Sequence, residues 1–328
     1  MPEATPLPEE KLTQSRQILE ALTAELAKAL IGQAQVVREV LAALLCDAHV
    51  LVEGVPGLGK TLLIKALGKT FGGQMKRIQF TPDLMPSDIL GHTYYDSAAA
   101  RFTTRQGPIF THLLLADEIN RAPAKTQAAL LEAMQERQVT LEGNALALPR
   151  PFMVLATQNP IEQEGTYPLP EAQLDRFLLK IRIGYPSAAE EAALTRHVTD
   201  RSTGADLSVD AVRTLVQPAT VLALQQAAAY VAVDDRVMDY AIAVVRATRE
   251  SPNIACGAGP RGSIALVRVA RAMALMAGRA FATPDDVKDA ALPALRHRIA
   301  PSAEAEIEGL TADELLSALL EQVAAPRS

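Results

Sequence analysis

Cysteine is scarce in this chain: there are two, Cys46 in an apolar helical stretch and Cys256 in a glycine-rich loop. They lie far apart and without metal-ligand spacing, which excludes a disulfide framework and a thiolate zinc site. The five histidines, His49, His92, His112, His197 and His297, are scattered singly, so none reads as a metal ligand. No apolar run is long enough to cross a bilayer. The start, 1-MPEATPLPEEKL-12, is acidic and proline-rich where a secretory leader would be basic and then apolar, so the expected location is the cytoplasm. An excess of basic charge is also missing. The formal net charge is -6, which weighs against a general affinity for nucleic acid.

What is present is a chain of 328 residues, 49% hydrophobic, large enough for two cores. Up to about residue 185, short apolar stretches alternate with helical patterns, the signature of a parallel sheet covered by helices. The expected strands are 49–54, 75–81, 112–118, 152–158 and 178–184. From Tyr185-Pro186 onward helical periodicity takes over, in 221–233, 237–250 and 262–278. The reading is α/β, with a nucleotide-binding domain over 1–185 followed by an all-α domain over 186–328. One late helix announces its start in 283-TPDDVKDA-290, with Thr283 as N-cap, Pro284 at the first helical position and two carboxylates in the first turn. Two patterned insertions interrupt the first part. Residues 83–110 are too long for an ordinary loop, and 138–152 read as a hairpin turning at Glu142-Gly143-Asn144. Such insertions on a rigid scaffold are where partner contacts usually sit.

The stretch 51-LVEGVPGLGKTLLIKALG-68 fits G-x-x-x-x-G-K-[ST] from Gly54 through Gly59, Lys60 and Thr61. A β-branched run precedes it and a helical pattern follows, the context a phosphate-gripping loop requires. Gly54, Gly57 and Gly59 lack the side chain that would hold main-chain N–H groups away from a polyphosphate. The helix N-terminus adds partial positive charge, Lys60 reaches the outer phosphates, and the Thr61 hydroxyl is placed to hold Mg2+.

Fifty-seven residues after Lys60, the apolar run 113-LLLA-116 ends in Asp117-Glu118. Beside a phosphate loop, the first carboxylate can order Mg2+ through its water shell and the second can activate an attacking water. A small-molecule kinase would avoid that second carboxylate. Farther on, 154-VLATQNP-160 places Asn159 where an amide can bond a γ-phosphate or the attacking water. Arg176 in 170-PEAQLDRF-177 and Arg261 in 257-GAGPRGS-263 offer permanently charged, planar donors suited to phosphate oxygens.

The ordered set GVPGLGKT (54–61), LLLADEIN (113–120), ATQNP (156–160), EAQLDRF (171–177) and GAGPRGS (257–263), preceded by 31-IGQ-33, resembles the MoxR family of AAA+ ATPases over nearly the whole chain. The resemblance implies a P-loop NTPase (AAA+) core with a parallel sheet, a C-terminal helical lid, and a homo-oligomeric, usually hexameric, ring with ATP sandwiched between subunits. It assigns Val55, Pro56, Gly57, Leu58, Gly59, Lys60, Thr61 and Leu62 to the phosphate loop and places Gly32 and Gln33 beside the adenine. Asp117 and Glu118 become the Walker B pair, Asn159 sensor 1, Arg176 the arginine finger and Arg261 sensor 2, acting within its own subunit or on the next. Both insertions would face the pore or a client. Departures are slight: Gly259 and Gly262 stand where relatives often have serine and alanine, which would loosen the sensor 2 loop. The implied activity is Mg-dependent ATP hydrolysis coupled to remodelling or maturation of a partner complex, often with a von Willebrand factor A domain protein. An ATP-gated binding module with slow hydrolysis and a magnesium-chelatase-like motor subunit stay open, as does a nucleic-acid motor, against which the hairpin at 138–152, with one arginine and one glutamate, argues.

Overall fold

A computed structural model describes residues 7–54, 58–98, 100–159, 166–199 and 209–326. Helices α1 (Glu9–Ala27) and α2 (Ala34–Leu45) lead into strand β1 (Val50–Glu53), and α3 (Lys60–Thr70) follows the glycine-rich loop. Strand β2 (Met75–Gln79) comes next, then α4 (Pro86–Leu90), β3 (Gly91–Asp96), β4 (Arg101–Gln106) and β5 (Leu113–Asp117). A single 3-10 turn (Ile119–Arg121) precedes α5 (Ala124–Glu136), which is followed by β6 (Gln138–Leu141), β7 (Asn144–Ala147), β8 (Met153–Gln158), α6 (Glu171–Leu174) and β9 (Leu179–Arg182). Each of the five expected strands is therefore found, trimmed at its ends.

Strands β2, β5, β8, β1 and β9 form one sheet in that order, every neighbour parallel. Strands buried on both faces read as near-continuous apolar runs, which is why 113-LLLA-116 and 153-MVLAT-157 carry no polar alternation. The side-chain period of two divides each strand between two cores. Val50, Val52, Leu113, Leu115, Met153 and Leu155 join one buried cluster, while Leu51, Leu114, Ala116, Val154 and Ala156 join the other, beneath α5.

The rest is helical: α7 (Ala188–Thr199), α8 (Pro218–Ala229), α9 (Asp235–Glu250), α10 (Pro260–Met276), α11 (Pro284–Leu295), α12 (Ala303–Ile307) and α13 (Ala312–Gln322), with a small antiparallel pair β10 (Ile254–Cys256) and β11 (Ala300–Pro301). Thr283 caps α11 as the sequence indicates, and Asp286 completes the capping box. Arg279 reinforces it with two bonds to Asp286, at 2.6 and 2.8 Å. Helices α8 to α13 share one apolar cluster with α1, α2 and α3, running from Leu7 to Leu319, so the change of architecture near residue 185 is no break in packing. Among the described residues, no helix is long and apolar enough to cross a membrane.

Both insertions are hairpins. In the second, Leu141 pairs with Asn144, and only Glu142 (φ 47°) and Gly143 (φ 80°) make the turn. Asn144, expected in the turn, belongs to the strand, because two consecutive positive φ values close a two-residue turn of the type that matches strand twist. The first hairpin, β3 with β4, is seated through glycines. A Cβ at Gly91 (φ +99°) would stand 2.2 Å from Arg105 O, which no side-chain adjustment can relieve. We expect Gly91→Ala to unseat this hairpin while sparing the sheet, at a cost of about 1–3 kcal/mol. Limited proteolysis should then cut within 91–106 while the thermal unfolding of the remainder stays cooperative.

Candidate functional site

In a parallel sheet all strands point one way, and the sequence-marked residues divide between its two edges. At the C-terminal edge, β1 ends at Glu53 and the chain turns through Gly54 into α3. A Cβ at Gly54 would sit 2.7 Å from Ile183 O, so the close approach of β1 to β9 requires glycine there. Gly59 caps α3 with φ 82°, and a Cβ there would meet nothing within 4 Å, leaving space at the helix N-terminus. Lys60 Nζ donates to Gly54 O at 2.7 Å, and Leu58 and Thr61 are half-buried beside it, with Leu62 buried. Val55, Pro56 and Gly57 lie outside the described residues.

The two acids stand at the same edge. Asp117 ends β5, and Glu118 follows with a left-handed backbone (φ 56°), so consecutive carboxylates turn to different partners. Thr157, at the end of β8, joins them: its hydroxyl donates to Asp117 Oδ1 at 2.6 Å and accepts the Glu118 N–H at 2.8 Å. Arg77 donates to Asp117 Oδ2, while Gln79 and Arg121 donate to Glu118 Oε2 at 2.8 and 3.1 Å. Desolvation pulls the Lys60 ammonium below its ordinary pKa, and the nearby Asp117 and Glu118 carboxylates oppose that shift. Asn159, buried just past β8, completes this edge. Gly32, with φ +74°, packs against the Glu190 side chain of α7, and Gln33 is the N-cap of α2. Thr157 and Gln79 were not singled out as site residues from sequence. Their only signal is a polar side chain at a strand end, which is commonplace.

Could this edge hold ATP with Mg2+? The donor set is oxygen-only, as a hard cation prefers, and among the described residues no three His, Cys, Asp or Glu side chains converge as a metal cage. That suits Mg2+, which usually keeps several waters and takes one or two carboxylates together with nucleotide phosphates. The residues fit the pair.

The opposite edge gathers the arginines. Leu178 N bonds His49 O, just ahead of the first β1–β9 partners, Val50 and Leu179, so residues 175–178 lie at the N-terminal edge of the sheet. A cavity of about 300 Å³ opens there, lined by Arg137, Arg176, Arg261, Arg268 and Arg298 with Asp47 and Asp175. Arg261 Nη1 reaches Asp175 Oδ2 at 3.4 Å, and the buried Arg298 holds Asp175 Oδ1 at 2.7 Å. Arg298 also donates to the Phe177 and Leu178 carbonyls, and its neighbour His297 reaches Phe177 O. The structure thus brings Arg176 and Arg261 together and separates both from Lys60 by the full length of β1. Strand rise makes that separation, from His49 to Gly54, about 16 Å. Gly262 is packed, its missing Cβ standing 3.0 Å from Leu295 Cδ2, so this glycine seats α10 on α11 where the sequence suggested a looser loop.

Comparison with known proteins matches both the sheet-bearing and the helical parts of the chain. The family model for ATPases associated with various cellular activities (AAA) matches residues 49–179, and the AAA lid domain matches 246–319. The chain is 41% identical to Chaperone MoxR1 of Mycobacterium tuberculosis over 99% of its own length and 87% of that protein. It is 44% identical to the uncharacterized protein YeaC of Bacillus subtilis, covering 91% and 92%, and 32% identical to Protein MoxR of Methylorubrum extorquens, covering 96% and 97%. A crystal structure of a candidate ATPase from Cytophaga hutchinsonii superposes with a TM-score of 0.89 at 40% identity, over 97% of this chain and 98% of that one.

The arginine edge carries its own pH dependence. His49 Nδ1 accepts the Val154 N–H at 3.0 Å, so its Nε2 carries the proton and donates to Met134 O at 3.1 Å. Burial, with Arg137 nearby, pulls this imidazole from 6.5 down to about 4. The unfolded chain therefore takes up the proton first, and the stability His49 contributes is present above pH 6.5 and lost as pH falls toward 4. Thermal unfolding between pH 7 and 4 should show this fall, and His49→Gln should flatten it by about 3 kcal/mol.

Proposed function

The chain belongs to the MoxR family of AAA+ ATPases, and from that premise we propose that it hydrolyses ATP with Mg2+ between subunits of a ring, coupling turnover to remodelling of a partner protein complex. The observation that carries the reading is the separation of Lys60 from Arg176 and Arg261 on opposite edges of one sheet. On this reading, a phosphate-binding lysine and two arginines that one chain holds on opposite edges of its sheet need a second copy to complete the site. Arg176 and Arg261 then act together, both on the nucleotide held by the neighbouring subunit.

In this reading Lys60 and the helix N-terminus of α3 bind the outer phosphates. Thr61, and Asp117 through water, would hold Mg2+, which when bound would supply charge neutralisation to the phosphates. Thr157 fixes Asp117 and the Glu118 backbone at once, so the acid pair is oriented before the nucleotide arrives. Glu118 orients the attacking water and takes its proton, and Asn159 bonds the water or the terminal phosphate. Arg176 and Arg261 of one copy stabilise the charge that develops on the phosphate of the next. Gly32 and Gln33 line the adenine.

The chaperone-like use rests on the MoxR-named relatives and on the two exposed hairpins. Tyr94, Tyr95 and Phe102 of the first are exposed large side chains on one small ribbon, with the Tyr95 and Phe102 rings 5.3 Å apart. Protein clients, among them von Willebrand factor A domain proteins, suit such a surface, and a hexamer is the assembly we propose.

Glu118→Gln should leave ATP binding intact and lower turnover by about two to four orders of magnitude. Equilibrium binding of a fluorescent ATP analogue beside phosphate release separates the two effects, and undiminished turnover would remove Glu118 from its role. Arg176→Ala should cost about 10³-fold or more at unchanged nucleotide affinity. Mixed with Lys60→Ala chains, it should recover part of the activity, because one interface in the mixed ring then carries both intact halves. No recovery at any mixing ratio, with assembly verified by mass, would place Arg176 in its own subunit's site.

A further inference from the structure

Strand β2 is an edge strand, and two of its last three residues, Arg77 and Gln79, are polar and two apart, hence on the same face. In register, Gln79 pairs with Asp117. Arg77 donates twice to one oxygen, Asp117 Oδ2, from Nη2 at 2.7 Å and from Nε at 3.2 Å. The same Nη2 reaches Gln79 Oε1 at 3.0 Å, and Gln79 Nε2 passes on to Glu118 Oε2 at 2.8 Å. Both acids at the end of β5 are therefore tied to one exposed edge.

An ionised carboxylate offers about four acceptor positions. At Asp117, Arg77 takes two and the Thr157 hydroxyl a third. One position, on Oδ1, is left open, so a hydrated divalent ion bonding through its water shell must approach beside a permanent positive charge and gains Oδ2 only by displacing Arg77. Nothing about the sheet demands this arginine. The β2–β5 pairing is carried by backbone bonds, and the Arg77 side chain is 50% exposed, so it is not a packing element.

We propose that Arg77 is a positioning residue that competes with the divalent ion for Asp117 and so sets the ion concentration at which the site closes around nucleotide. This rests on the reading of Asp117 as the carboxylate that orders the ion. A half-exposed pair of this kind contributes about 0.2–1 kcal/mol, which translates into a shift of up to about fivefold. Through Gln79 the same displacement loosens one of the two side-chain holds on Glu118, so ion arrival at one acid is felt at the other.

The test uses the full chain with a non-hydrolysable ATP analogue and Mn2+, whose binding is read by electron paramagnetic resonance without any turnover. Arg77→Ala should tighten Mn2+ binding about two- to fivefold, with Arg77→Lys, which keeps the charge, staying near the unsubstituted chain. The Mg2+ concentration for half-maximal ATP turnover should move in the same direction. A gain in ion affinity is an effect that a merely loosened fold does not produce. Asp117→Asn is the control on the underlying reading and should weaken Mn2+ binding. If Arg77→Ala leaves the Mn2+ affinity unchanged or weaker while Asp117→Asn loses it, the competition is wrong and the role of Asp117 stands. If Asp117→Asn binds Mn2+ as the unsubstituted chain does, the reading of Asp117 falls and the proposal with it.

Discussion

The parallel direction of one five-stranded sheet is the constraint on which the rest depends. Because every strand runs the same way, residues that follow strands collect at one edge and residues that precede them collect at the other. Lys60, Asp117, Glu118, Thr157 and Asn159 follow or end strands. Asp47, His49, Asp175 and Arg176 precede them. No loop rearrangement within a single chain exchanges the two sets, since the sheet between them is solid with Leu51, Leu114, Val154 and their neighbours, all buried. On the proposed roles, strand polarity is what sets the two halves of the shared site on opposite edges of each copy.

At the arginine edge, the decisive contact is the hold of Arg298 on residues 175–178. A guanidinium buried this deeply would be costly unless its donors were met. Asp175 supplies the counter-charge, and the Phe177 and Leu178 carbonyls take further donors. The same Asp175 keeps its second oxygen for Arg261, at the start of α10. Two arginines far apart in sequence are thereby indexed to the residue directly before Arg176. A comparable set of charges links the far end of β1 to the last helix, with Glu53 meeting Lys180 and Arg182, and Asp313 of α13 bridging Arg182 and Arg296. Both ends of the sheet are thus fastened to the helical region by ion pairs, several of them shielded from water.

The strands were legible because double-sided burial leaves unbroken apolar runs, and the phosphate loop because its glycines and lysine have fixed spacing. The acid pair could be read from its place at the end of such a run. The hairpins were legible as insertions, while the turn of the second was read one residue too long, since only the paired register of Leu141 with Asn144 shows where the strand resumes. The partners of the acids were hidden. Arg77 and Gln79 form an ordinary alternation on a short strand, and only the parallel pairing of β2 with β5 sets them beside Asp117 and Glu118. Arg298 was hidden more deeply, because a single arginine after a helix has no local pattern and acquires its role from contacts more than a hundred residues away in sequence.

The shared core decides what can move. The late helices bury their apolar faces against α1, α2 and α3 in the same cluster, so swinging them as a separate lid would expose a continuous apolar surface. At about 25 cal/mol per Å² of apolar area, even a few hundred Å² costs several kcal/mol, more than a phosphate contact returns at a half-exposed site. Motion is cheaper where contacts are polar and peripheral: at the β2 edge, where Arg77 can leave Asp117 without uncovering apolar surface, and between whole copies. On the proposed reading, such a chain would transmit nucleotide state chiefly as a nearly rigid body, with Arg176 and Arg261 carried together toward or away from the neighbour's phosphates.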